Sequence, residues 1–227
     1  MKIKTFLIHV FLFVIGTANG QTIKVNVSND IDSSKIYLFY LHGQIKIENG
    51  KGISQYFGVY EYQHILDTFS SYGYKVISEP RPMDADEAEY AGKVTRQIDT
   101  LLKAGVKPAR ICIVGASAGA YITIDVATRV MNKDIKYAIL GMCESETYKS
   151  YEDKDLCGNF LSIYESSDPH GSCLKLFKDK NCLTGIKEIK LNMNNSHAFL
   201  YKPYKEWVYP LTNWINVNSL KPKPTKK

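Results

Sequence analysis

A serine flanked by small residues stands in Gly115-Ala116-Ser117-Ala118-Gly119, between an apolar run at 110–114 and a helix-spaced stretch at 117–131. This G-x-S-x-G spacing suits one kind of chemistry. A nucleophilic serine has to project from a tight, strained strand-to-helix turn, where side chains two residues to either side would collide, so Gly115 and Gly119 are needed there. The first N–H groups of the following helix then face the negative charge that develops when the serine attacks a carbonyl. Further along, Glu165-Ser166-Ser167-Asp168-Pro169 follows the apolar run 160–164, and Asn194-Asn195-Ser196-His197 follows 186–191, just ahead of a last amphipathic stretch. Ser117, Asp168 and His197 would be a nucleophile, the acid that orients a base, and the base itself. Glu165 is an alternative acid, because it ends its strand directly. Of the other histidines, His64 falls inside a helix-spaced stretch, His170 lies too near Asp168 in sequence to be its natural partner, and His9 belongs to the N-terminal leader. His42-Gly43-Gln44 ends the apolar run 35–41. There the Gln44 N–H and the Ala118 N–H are the expected oxyanion hole. Gly43 allows the tight turn, and His42 is expected to hydrogen-bond within it and not to act as a base.

The surrounding pattern says how these residues are carried. Short apolar runs at 35–41, 74–78, 110–114, 137–140, 160–164 and 186–191 read as strands. Helical spacing covers 60–72, a stretch from Asp84 and Asp86 to about Ala104, 117–131, and 204–215, where Trp207, Val208, Leu211 and Trp214 share a face. Acidic residues at the start of the second helix suit the positive end of its dipole, and Gly105 ends it. Asp84, Asp86, Glu87 and Glu89 are therefore a solvated helix start and not a metal cluster. Strands alternating with helices predict an α/β fold with a mostly parallel central sheet and helices on both faces. Right-handed crossovers put every strand's C-terminal end on one edge, and Ser117, Asp168, His197 and Gln44 all follow strands.

The chain order serine, acid, histidine is that of the α/β-hydrolase triad. With Leu41-His42-Gly43-Gln44, Gly115–Gly119, Asp168-Pro169 and His197 before a terminal helix, the chain resembles the α/β-hydrolase-fold serine hydrolases. It is similar to their small carboxylesterase and acyl-thioesterase group, over roughly residues 23–217. The resemblance implies an α/β-hydrolase fold and a serine esterase that works through an acyl-enzyme without a cofactor. Its substrate would be a simple carboxylic ester, an acetyl or feruloyl group on a polysaccharide, or a thioester. A binding protein on the same scaffold is the alternative from another class. About twenty residues separate the strand at 137–140 from that at 160–164. Many α/β hydrolases insert a cap there; this length allows a short helix but no large cap domain, so an open, shallow site is expected.

Composition bounds the partners. The 227 residues include 29 Lys+Arg and 23 Asp+Glu, a net charge of +6. Residues 1–20 have the layout of a cleavable signal peptide: Lys2 and Lys4, an apolar run at 6–15, then Ala18-Asn19-Gly20 before Gln21. The run is too short to span a bilayer. Residues 220–227 form a basic, extended tail with four lysines and two prolines. Those six lysines account for the whole excess, so the body at 21–219 is balanced. Charge therefore gives no support to a nucleic-acid role. A secreted or periplasmic location follows, with no stable membrane insertion. No zinc spacing, dinucleotide fingerprint or P-loop is present, so neither metal nor cofactor is expected. Cys112 reads as a small core residue. Cys143, Cys157, Cys173 and Cys182 could form disulfides in an oxidising compartment, with Cys173–Cys182 favoured because it closes a short loop. Asn26-Val27-Ser28 and Asn194-Asn195-Ser196 are formal glycosylation sequons, and a glycan at Asn194 would crowd His197.

Overall fold

A computed structural model describes residues 24, 26–28 and 30–219. The expected leader at 1–20 and the tail at 220–227 lie outside them. Six parallel strands form one sheet in the order β4-β1-β5-β6-β7-β8. They are β1 (Tyr37–Leu41), β4 (Lys75–Ile77), β5 (Ile111–Ala116), β6 (Lys136–Leu140), β7 (Cys157–Glu165) and β8 (Cys182–Leu191). Between β1 and β4 come an antiparallel hairpin, β2 (Gly52–Ser54) and β3 (Gly58–Tyr60), and then helix α1 (Tyr62–Ser71). Four further α-helices follow among the described residues: α2 (Glu87–Lys103), α3 (Ala118–Val130), α4 (Ser145–Tyr151) and α5 (Lys205–Ser219).

Strands β1, β5 and β6 are buried at every position because both faces of the sheet are covered there. Tyr37, Phe39 and Leu41 of β1 pack with α2 and α3 on one side. Leu38 and Tyr40 pack with α1 and α5 on the other, where Trp207, Leu211 and Ile215 are completely buried. Asp86 caps α2 by accepting the Glu89 N–H at 2.8 Å, so the acidic stretch is a helix start. Cys112 is free and buried.

The strand order places the site. β1 is followed by elements leading to β4 on one side of it, and β5 by α3 leading to β6 on the other. Neighbouring strands whose connections leave in opposite directions open a crevice at their carboxyl ends, which is where open α/β sheets bind ligands. In this sheet that crevice lies between the turn after β1 and the turn after β5.

The cysteine pairing differs from the sequence expectation. Cys143 pairs with Cys173, and Cys157 with Cys182. Cys157 and Cys182 are register partners at the starts of β7 and β8, with Cα atoms 4.5 Å apart, so strand pairing and not loop length selects the bridge. Closing loops of 30 and 25 residues restricts the unfolded chain by about 3–4 kcal/mol each in the entropic account. Reduction with dithiothreitol is therefore expected to lower the urea midpoint substantially, and an unchanged midpoint would show that the bridges add no stability.

Candidate active site

Ser117 joins β5 to α3 with φ 51° and ψ −122°. An L-residue reaches this region only under strain. The turn is held on both sides: the Ser117 N–H donates to Leu140 O at 2.9 Å, and the Ala120 N–H donates to Ser117 O at 2.8 Å. The two glycines make the turn possible. A Cβ on Gly115 would lie 2.3 Å from Gly119 O, which is the anticipated collision across the elbow. A Cβ on Gly119 would lie 1.9 Å from Leu41 O, a contact with a different strand. Gly119 thus lets the start of α3 press on the end of β1. That approach brings Gly43 to the serine, since a Cβ there would sit 3.2 Å from Ser117 Cβ.

His42 is buried in the turn after β1. The Arg81 N–H donates to its Nε2 at 2.8 Å. The ring proton therefore sits on Nδ1 and is donated to Gly43 O at 2.6 Å. The Arg81 guanidinium donates to His42 O. Burial, with the Arg81 charge adding to it, pushes the pKa of His42 down to about 3. The ring is a neutral brace for the turn. The unfolded chain protonates this group near 6.5 while the native state resists until about 3. Stability should therefore be lost as pH falls through that window. In denaturant titrations across pH, His42→Gln should flatten the slope between pH 6.5 and 4.5, above the ordinary range of Glu165; an unaltered slope would contradict this.

The Gln44 side chain donates to Met83 O at 3.2 Å. The main-chain N–H groups of Gln44 and of Ala118, the first residue of α3, have no acceptor among the described residues. They remain available to a ligand atom in the crevice.

Asp168 and His197 stand on the loops after β7 and β8. His197 Nδ1 lies 2.7 Å from Asp168 Oδ2, and Asp168 is buried. With Nδ1–H donating to that carboxylate, Nε2 is left to take a proton. Ser117, His197, Gly43, Gln44, Phe57 and Tyr201 all line one cavity of about 240 Å³. The Ser117 hydroxyl makes no hydrogen bond among the described residues, and contacts of this kind commonly tighten only once substrate is bound. Glu165, the alternative acid, has its two carboxylate oxygens taken by Ser166, Ser167, Met193 and Asn194.

Three features were not anticipated from sequence. The first is the cavity wall supplied by the hairpin, where Phe57 meets His197 at 5.8 Å and Tyr201 at 5.5 Å between ring centroids. Asn49-Gly50, with φ 49° and 75°, is the readable signal for an adjoining tight turn, in which Glu48 and Lys51 exchange backbone hydrogen bonds. The second is His170, whose ring lies 5.1 Å from that of His197 and whose N–H donates to Asp168 Oδ1 at 3.1 Å. The third is that Asp168, His170 and His197 offer possible metal-ligand atoms within 4.8 Å of one another. Asp168 Oδ1 accepts the His170 N–H and Oδ2 faces His197 Nδ1, so both oxygens are engaged within the protein.

A parallel sheet switching direction at β1 and β5, with a strained serine in the switch crevice and an acid–histidine pair on the last two strand ends, is the α/β-hydrolase fold. Solved structures share it at low identity. A protein of Agrobacterium tumefaciens solved as a candidate α/β hydrolase superposes with a TM-score of 0.55 at 15% identity, over 82% of this chain and 86% of its own. A candidate esterase from Staphylococcus aureus gives 0.56 at 11%, over 81% and 75%. SOBER1 of Arabidopsis thaliana gives 0.50 at 16%, over 82% and 100%. Neither a protein-family model nor a curated protein matches the chain.

Proposed function

We propose that this chain is an exported serine hydrolase that cleaves carboxylic esters of small or glycan-linked substrates. The observation that carries the reading is the shared cavity, where the strained Ser117 and the Asp168-bonded His197 stand together. Ser117 Oγ attacks the acyl carbonyl while His197 Nε2 takes its proton. The N–H groups of Gln44 and Ala118 receive the oxyanion. His197 then protonates the leaving alcohol, and water repeats the sequence on the acyl-enzyme. A cavity of about 240 Å³, roughly the volume of eight waters, supports a short acyl group over a long chain. The N-terminal leader and two disulfides support export to an oxidising compartment, where the mature chain would begin at Gln21.

The test is covalent labelling with a fluorophosphonate, read by peptide mass spectrometry, together with a p-nitrophenyl ester series. Label on Ser117 and faster turnover of acetate and butyrate than of decanoate are expected. Folded protein that takes no label at pH 7–8 would sink the enzyme reading and leave a binding protein on this scaffold.

A further inference from the structure

Glu165 is the last residue of β7 and is completely buried. Among the described residues no cation pairs with it. A buried carboxylate without a counter-charge is costly unless hydrogen bonds satisfy it. Here the donors come from two separate loops. From the loop carrying Asp168, the Ser167 N–H donates to Oε2 at 2.6 Å, the Ser167 hydroxyl donates to the same oxygen, and the Ser166 hydroxyl reaches Oε1 at 3.3 Å. From the loop carrying His197, the N–H groups of Met193 and Asn194 donate to Oε1 at 2.9 and 3.1 Å. Ser167 extends the link, because its oxygen also accepts the N–H of Ser196, the neighbour of His197, at 3.0 Å.

The histidine loop needs such holding. Asn194 and Ser196 have φ of 55° and 49°, and the left-handed region costs an L-residue about 1–2 kcal/mol. Two successive amides converging on one oxygen form an anion-binding concavity, which an anion inside the fold keeps in shape. Burial alone would push the pKa of Glu165 up, yet the hydrogen bonds from Ser167, Asn194 and Met193 outweigh it and bring the value down to about 2. The carboxylate is therefore charged at neutral pH.

We propose that Glu165 is a positioning residue, an internal anion that fastens the Asp168 loop to the His197 loop and so sets the hydrogen bond between them. The inference rests on the reading of Ser117, Asp168 and His197 as the reacting set. Its geometry is independent of which ester is cleaved.

Glu165→Gln keeps the shape and replaces one acceptor oxygen with an NH₂ that faces N–H donors. The expected result is a fall in kcat of about 10²-fold, the scale of a misplaced catalytic group, with KM changed less than about threefold. The downfield proton resonance of His197 Nδ1–H should shift or broaden, which a general loss of stability in a still-folded variant would not produce. Ser167 is exposed, so Ser167→Ala should fold even if Glu165→Gln does not. It removes a donor to Glu165 and the acceptor for Ser196, and should move the same resonance and lower kcat about fivefold, the equivalent of one neutral hydrogen bond. Wild-type kcat and an unmoved resonance in both variants would overturn the proposal. If the wild type hydrolyses no ester and takes no label, the serine-hydrolase reading fails, while the resonance still decides whether Glu165 sets the Asp168–His197 bond.

Discussion

Ser117→Gly is expected to lower ester turnover by at least about 10⁴-fold, the scale on which removing an attacking serine acts. In the same variant the unfolding midpoint should rise. Ser117 holds φ 51° and ψ −122° with a hydroxyl that bonds to nothing described, so its side chain adds strain and returns no hydrogen bond among the described residues. Strained backbone of this sort costs about 1–3 kcal/mol, and glycine relieves it at the expense of about 0.5–1 kcal/mol of chain entropy. A net gain of about 1 kcal/mol corresponds to about 2–4 °C for a domain of this size. Ser117→Ala should lose the activity without gaining the stability, because alanine keeps a Cβ. Paired measurement of Tm and p-nitrophenyl acetate turnover separates the cases. A Ser117→Gly variant less stable than wild type would mean that the serine is held in place by favourable contacts.

Gly119→Ala should damage both stability and the site. Its Cβ would lie 1.9 Å from Leu41 O and 2.8 Å from His42 O, both backbone atoms that no rotamer change can move aside. Relief requires α3 to back away from β1, and that separation withdraws the His42-Gly43-Gln44 turn from Ser117. A destabilisation of at least about 3 kcal/mol is expected, at the upper end for overpacking, with a Tm lower by about 10 °C. Fluorophosphonate labelling should slow even at temperatures where the variant is folded. Gly58→Ala serves as the contrast, since its Cβ would meet nothing within 4 Å and only its φ of 79° is strained.

How much of this could be read from sequence depends on how local each cause is. The strands and helices emerge from periodicity, and the elbow emerges because its five-residue pattern is contiguous, although only Gly115 is dictated by the turn's own backbone. Asp168 and His197 stand out because each follows a strand. Strand β7 begins at Cys157 and not near Phe160, because its first residues are paired to β8 by a register that no single segment encodes. The same register overturns the short-loop pairing of Cys173 with Cys182. The contact of Gly119 with Leu41 and the convergence of two loops on Glu165 join residues 78 and about 28 positions apart. Such contacts exist only once the sheet has assembled. The hairpin wall is a different case: Asn49-Gly50 is a local turn signal ahead of it, but β2 and β3 have only three residues each, too short to show a period.

All four bridged cysteines lie between residues 143 and 182. Ser117 and the amides of Gln44 and Ala118 lie on segments before residue 120, none of which carries a bridged cysteine. Asp168 lies within the cross-linked span, and His197 follows β8, whose first residue, Cys182, is bridged to β7. The two halves of the site thus depend on different chemistry for their assembly, one on burial and the other also on oxidation. A chain that folds before its thiols are oxidised would be expected to present a formed serine elbow beside a loosely held acid–base pair. On the proposed reading, oxidation of the four thiols would then be the step that brings the Asp168 loop and β8 into register beside Ser117.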